Sequence, residues 1–114
     1  MNPSRVAIVG YGYIAHHHAR GVIAAEGMAL GGVLGRNPER CAEFGRQHGI
    51  EQVYGSVEAL AADAHIDAAI IAWPNALHAP VATAMMNAGK HVLVEKPMAM
   101  NAVGEAAMEM ITEV

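Results

Sequence analysis

Short apolar runs alternate with segments of helical period along the whole chain. Arg5–Val9 is a β-branched run that stops at Gly10. Ile14–Glu26 follows with Ile14, Ala15, His18, Val22 and Ala25 roughly on one stripe, which predicts a helix. Gly27 stands where a helix C-terminus favours glycine. Met28–Leu34 is the second predicted strand, weakened by Gly31 and Gly32. Asn37, Pro38 and Glu39 read as N-cap, N1 proline and first-turn acid of a helix running to about Gln47, which His48 and Gly49 end. Gln52–Tyr54 is a short third strand, and Ser56 caps a helix from Val57 to about Ala64.

Ala68–Ala72 lacks polar alternation and reads as a strand buried on both faces. After the break at Trp73–Pro74, Asn75 can cap a helix to about Ala88, with Gly89 behind it. His91–Glu95 is a fifth strand. Asn101 can then cap a last helix whose stripe holds Val103, Ala106, Ala107, Met110, Ile111 and Val114. That helix has no closing glycine, proline or basic residue, so it reads as cut before its end. Five strands alternating with five helices imply an α/β fold: a Rossmann-type doubly wound parallel sheet in three α/β/α layers, short of its last strand.

Composition narrows the classes. The 114 residues make one domain at most. At 54% hydrophobic and 16% charged, the chain is no disordered tail. No apolar run reaches membrane-spanning length, and the N-terminus lacks a signal peptide's apolar stretch. A net charge of -4 argues against a nucleic-acid face. The single cysteine, Cys41, cannot close an intrachain disulfide, which favours a cytoplasmic setting. Its neighbours provide no resolving thiol, so it reads as a small buried residue.

The chemistry concentrates at three places. Gly10-Tyr11-Gly12-Tyr13-Ile14-Ala15 is a G-x-G-x-x-A loop between a strand and a helix. Gly10 permits the tight turn, Gly12 lets backbone approach a pyrophosphate, and Ala15 keeps helix and strand close. The helix N-terminus offers free N–H groups to phosphate. NAD sites carry an acid after the second strand, on the ribose 2′-hydroxyl. Gly35 and Arg36 stand there instead. Without an acid, a 2′-phosphate is not repelled, and a guanidinium can grip it. NADP is therefore the preferred cofactor, with NAD as the alternative.

Trp73, Pro74, Asn75 and His78 follow the fourth strand; Glu95, Lys96 and Pro97 close and follow the fifth. Ligands of open parallel sheets bind at the carboxyl ends of the strands, so all these clusters share one predicted rim. Lys96 is the best candidate for proton transfer. His16-His17-His18 cannot converge on one metal ion, because consecutive helix residues point about 100° apart. No metal is expected. Glu105, Glu109 and Glu113 recur every four residues and read as a solvated helix face.

The runs GYGYIAHHH, WPNALHAP and GKHVLVEKPMA resemble the N-terminal domain of the Gfo/Idh/MocA oxidoreductases, over the whole chain. The G-K-H-V-x-x-E-K-P run is the most specific of the three. The resemblance implies an NAD(P)-dependent enzyme acting on a sugar, polyol or related alcohol. It implies that Gly10, Gly12 and Ala15 form the pyrophosphate loop and that Asn75 and His78 line the cofactor side. Glu95 and Lys96 would lie near the nicotinamide, Lys96 touching the reacting hydroxyl, with a cis bond before Pro97 aiming it. The resemblance also matches His18 to a histidine common in the family's first helix. Trp73 departs from it, since the family carries a small residue there. Residues 1–114 correspond to the nucleotide-binding domain alone. The family's second domain binds substrate and drives homo-oligomerisation, and it lies outside this sequence. This chain alone is therefore expected to bind cofactor weakly and to turn nothing over. A non-catalytic nucleotide-sensing module is the alternative. An S-adenosylmethionine-binding domain fits less well, because it leaves Glu95-Lys96-Pro97 unexplained.

Overall fold

The computed structural model describes residues 3–72, 78–95 and 110–113. In these, ten elements follow in chain order. They are β1 (Ser4–Val9), α1 (Tyr13–Ala24), β2 (Met28–Leu34), α2 (Pro38–His48), β3 (Val53–Tyr54), α3 (Val57–Ala62), β4 (Ala68–Ile71), α4 (His78–Asn87), β5 (His91–Glu95) and β6 (Met110–Glu113). One sheet runs in the order β3-β2-β1-β4-β5-β6. The first five strands are parallel throughout, as the alternation of strands and helices requires. The strand order reverses between β1 and β4, which makes the carboxyl ends of these strands the switch point where ligands bind in such sheets.

The sheet separates two cores. Val6 and Ile8 of β1, Val33 of β2 and Ile70 of β4 pack with Ala15, Ala19 and Val22 of α1 and Cys41 and Phe44 of α2. Ala7, Val9, Ala69, Ile71 and Val92 face the other way, onto Leu60 of α3 and Val81 and Met85 of α4. Successive strand residues thus serve opposite faces, and both faces are dry. Each fully buried valine, leucine, isoleucine or phenylalanine contributes about 1.5–3 kcal/mol by leaving water. Small residues on α1 let that helix approach the sheet: Ala15 and Ala19 are completely buried. The glycine pair in β2 produces a bulge. Val6 pairs with Leu30 while Ala7 pairs with Gly32, so Gly31 is the extra residue.

The expected last helix is not what the described residues form. Met110–Glu113 is an extended strand, antiparallel to β5, pairing Val94 with Ile111 and Leu93 with Thr112. Without it, β5 would leave a row of backbone donors and acceptors open at the sheet edge. Pairing them outweighs the helical apolar period of the predicted stripe, and Met110-Ile111-Thr112 is equally consistent with a short strand. The sheet therefore does not stop at β5 as the sequence reading expected. Glu113 stands on this strand and not on a helix face. Asn101, Val103, Glu105, Ala106, Ala107, Glu109 and Val114 lie outside the described residues.

Candidate nucleotide site

The glycine loop has the geometry its sequence predicts. Gly10 adopts a φ of 118°, a backbone region that side chains resist. Its N–H donates to the Leu34 carbonyl at 2.7 Å, which ties the loop to the end of β2. Gly12 is the N-cap of α1 and has an ordinary extended backbone (φ -86°, ψ -167°). A Cβ built on Gly12 would meet nothing within 4 Å. The protein itself therefore does not require glycine at this position. The space beside it is open to a ligand. The first turn of α1 carries no acid, and no side chain caps its N–H groups. Those donors and the helix dipole face the space that Gly12 leaves open. Ala15, buried in the α1 face, completes the motif. Tyr13 is exposed and Ile14 half-buried beside it.

The end of β2 lies against this loop. Tyr11 is half-buried, and its ring covers Gly35. Arg36 is exposed just beyond. The Asn37 side chain accepts from the backbone N–H groups of Glu39 (2.9 Å) and Arg40 (3.1 Å), capping α2 as its sequence predicts. This cap fixes the first turn of α2 so that the Arg40 guanidinium carbon stands 6.0 Å from the centre of the Tyr11 ring. A cleft of about 210 Å³ opens here, lined by Tyr11, His16, Arg40, Glu43, Phe44 and Gln47. Sequence reasoning singled out Arg36 and missed Arg40. The proline-capped helix start carried the available signal, because it places that residue in the first turn, next to the strand end.

The residues of this loop and strand end therefore suit a dinucleotide. A pyrophosphate would meet open space beside Gly12, and Arg36 and Arg40 follow β2 on the side where the adenosine ribose of such a ligand would lie. Among the sequence-predicted site residues, Gly10, Tyr11, Gly12, Gly35 and Arg36 are brought together. His78 opens α4, directly after the segment that follows β4, and Glu95 ends β5. Trp73, Pro74, Asn75, Lys96 and Pro97 lie outside the described residues.

The three histidines of α1 go separate ways. His16 packs on Phe44, with ring centres 4.6 Å apart, and its Nδ1 lies 2.7 Å from Nε2 of His48. His17 is exposed and His18 is buried. Burial pushes the His48 imidazole below its ordinary pKa, and the neighbouring His16 and Arg20 add to the shift. Protonated His48 is thus disfavoured in the folded state. Its contribution to stability is complete above the ordinary histidine pKa of about 6.5 and is lost as pH falls through the lower folded value. The melting temperature should drop on acidification below about pH 6.5, and His48→Gln should flatten that part of the curve. Thermal unfolding followed by circular dichroism at several pH values checks this, and identical profiles for both proteins would refute it. Burial also raises the Cys41 thiol, so this cysteine is an inert packing residue and not a redox centre.

A parallel sheet reversing at β1 and β4, with an open glycine loop at the switch point, defines a dinucleotide-binding Rossmann domain. Residues 4–114 match the Gfo/Idh/MocA family, described as "Oxidoreductase family, NAD-binding Rossmann fold". The chain belongs to that family. It is 39% identical over 97 residues to the NADP(+) scyllo-inositol 2-dehydrogenase of Bacillus subtilis, covering 85% of this chain and 30% of that protein. Biliverdin reductase from Synechocystis, solved with biliverdin and NADP+, aligns with a TM-score of 0.77 at 36% identity, over 88% of this chain and 31% of that one. A levoglucosan dehydrogenase solved with NADH and L-sorbose aligns with a TM-score of 0.79 at 30% identity, over 95% and 31%. The chain thus spans about a third of the length of these relatives. It is an NAD(P)-binding domain of the oxidoreductase type. Among the described residues, no helix is long and apolar enough to cross a membrane.

Proposed function

We propose that the chain is the nucleotide-binding domain of an NADP-preferring oxidoreductase that moves hydride to or from a sugar, polyol or related alcohol or carbonyl. The observation that carries the NADP preference is the end of β2. Gly35 stands where an acid would hold a 2′-hydroxyl, Arg36 follows it, and the Arg40 guanidinium carbon stands 6.0 Å from the centre of the Tyr11 ring that covers it. A relative named for NADP(+) and a neighbour solved with NADP+ support the reading, while a neighbour solved with NADH keeps NAD as the alternative. The polyol and sugar class rests on the inositol and levoglucosan dehydrogenases among the relatives.

The nicotinamide, when bound, supplies or accepts the hydride. The chain's residues do the rest. Backbone N–H groups at the α1 N-terminus hold the pyrophosphate. Arg36 and Arg40 hold the 2′-phosphate. Asn75, His78 and Glu95 line the nicotinamide side, by resemblance to the family. Lys96 gives a proton to the forming alcohol oxygen, or takes it in the reverse direction. The substrate is held by a second domain, which also joins subunits into a homo-oligomer. The single cysteine, which cannot close an intrachain disulfide, fits a cytoplasmic setting.

Calorimetric titration of the full-length protein tests the reading. NADPH should bind at least about tenfold tighter than NADH, a difference of about 1.4 kcal/mol. Gly12→Ala should weaken both nucleotides alike, since both carry the pyrophosphate. It should cost no more than about 1 kcal/mol of stability, the usual scale for a poorer N-cap. Equal affinity for the two nucleotides would remove the NADP preference. Binding of neither would remove the dehydrogenase reading.

A further inference from the structure

We propose that Tyr11 is the residue that fixes nucleotide choice at this site. Its ring fills the space that an acid at position 35 would need, and it seats Arg40 for the 2′-phosphate. The inference rests on the NADP reading above and deepens it.

The steric half follows from Gly35. A Cβ built there would lie 2.6 Å from both Cδ2 and Cε2 of the Tyr11 ring and 2.8 Å from Sγ of Cys41. No side chain tolerates such distances without movement of its neighbours. Cys41 has no room to retreat. It is completely buried and packs in the cluster that holds Val33, Phe44 and Ile50. Tyr11 is half-buried, and carbons along the edge of its ring, not the hydroxyl tip, make the approach. The missing acid is therefore more than an absent attraction for NAD. Two neighbours bar its position, one of them part of the glycine loop itself.

The electrostatic half follows from Arg40. Its guanidinium carbon stands 6.0 Å from the Tyr11 ring centre, at the outer range of cation–π attraction. Arg40 is otherwise an exposed side chain, with its backbone alone fixed by the Asn37 cap. The ring limits where that long side chain goes and keeps it at the β2 end. Glu43 lines the same cleft and would repel an anion. Its nearest ion-pair partner is Arg46, 4.0 Å away and exposed, so the pair screens it weakly. An arginine held at the mouth of the cleft is what offsets that acid toward a phosphate. The ring does this through its face and not through its hydroxyl, so phenylalanine should substitute for it.

The test is a titration and unfolding series on the full-length protein with NADPH and NADH. Tyr11→Phe should keep the wild-type ratio of affinities. Tyr11→Ala should lower the preference for NADPH over NADH by about two- to fivefold, the scale of an exposed cation–π contact. Gly35→Asp alone should lower the melting temperature and weaken both nucleotides. The same substitution in a Tyr11→Ala, Cys41→Ala background should cost much less stability and should favour NADH. If the wild type prefers NADPH and Tyr11→Ala keeps that ratio, the proposal falls and the NADP reading stands. If Gly35→Asp destabilises both backgrounds equally, there is no coupling and the proposal also falls. A wild type without NADPH preference would overturn both.

Discussion

Replacing Lys96 with alanine is expected to lower kcat by roughly 10²- to 10⁴-fold, the usual contribution of a positioned proton donor or acceptor. Nucleotide affinity should stay nearly unchanged. Hydride delivered to a carbonyl carbon leaves an oxygen that must gain a proton, and the reverse reaction must remove one. Lys96 follows Glu95, the last residue of β5, in the E-K-P run by which the chain resembles its family. The groups proposed to hold the pyrophosphate and the adenosine ribose sit elsewhere, after β1 and at the end of β2, so they survive the substitution. The experiment is steady-state turnover by the full-length protein with whichever polyol or sugar it accepts, alongside NADPH titration. A fall in nucleotide affinity with kcat unchanged would recast Lys96 as a cofactor ligand. No change in either would remove it from the site.

How much of this site can be read without coordinates depends on the range of the interaction. The glycine loop is local. One strand, three motif residues and one helix suffice: Gly10 turns the chain with a positive φ, Gly12 caps α1, and Ala15 is buried on the helix face. The absence of an acid at Gly35 is equally local. The reason it cannot easily be replaced is not. Tyr11 and Cys41 meet over Gly35 only after β1, β2 and α2 have packed, and nothing in the composition of either segment announces it. The same limit explains the strand at Met110–Glu113. Its apolar residues fit a helical stripe in isolation, and only the open edge of β5 decides between the two. Local period specifies an element when its partner is sequential. At the edge of a sheet, an antiparallel partner contributed from farther along overrides it.

The other lysine of the G-K-H-V-x-x-E-K-P run should behave in the opposite way. Lys90→Met is expected to destabilise the domain by about 2–4 kcal/mol and to leave nucleotide affinity unchanged below the melting transition. Lys90 is only 5% exposed, rare for a lysine. Its ammonium donates to the carbonyls of Asp63 at 2.7 Å and Ile66 at 2.8 Å. Those oxygens belong to the turn between α3 and β4, whose chain has left the helix and not yet joined the sheet. The backbone holds Lys90 in place from both sides. Its N–H donates to the Met85 carbonyl at the end of α4, and the next residue, His91, donates to Asp67. Gly89 turns the chain between them with a φ of 81°. The motif's first half is thus a staple that fastens α4 and β5 to the α3–β4 turn. It sits before β5, on the rim opposite the glycine loop, so its loss reaches the nucleotide only through unfolding. Methionine keeps the buried stem but removes a charged donor from both carbonyls, leaving the Asp63 oxygen only the Ile66 N–H at 3.2 Å, which is why the cost exceeds that of a simple lost contact. Calorimetric unfolding should show a melting temperature lower by on the order of 10 °C. A variant that melts with the wild type, or that loses NADPH affinity while folded, would show that Lys90 is no staple.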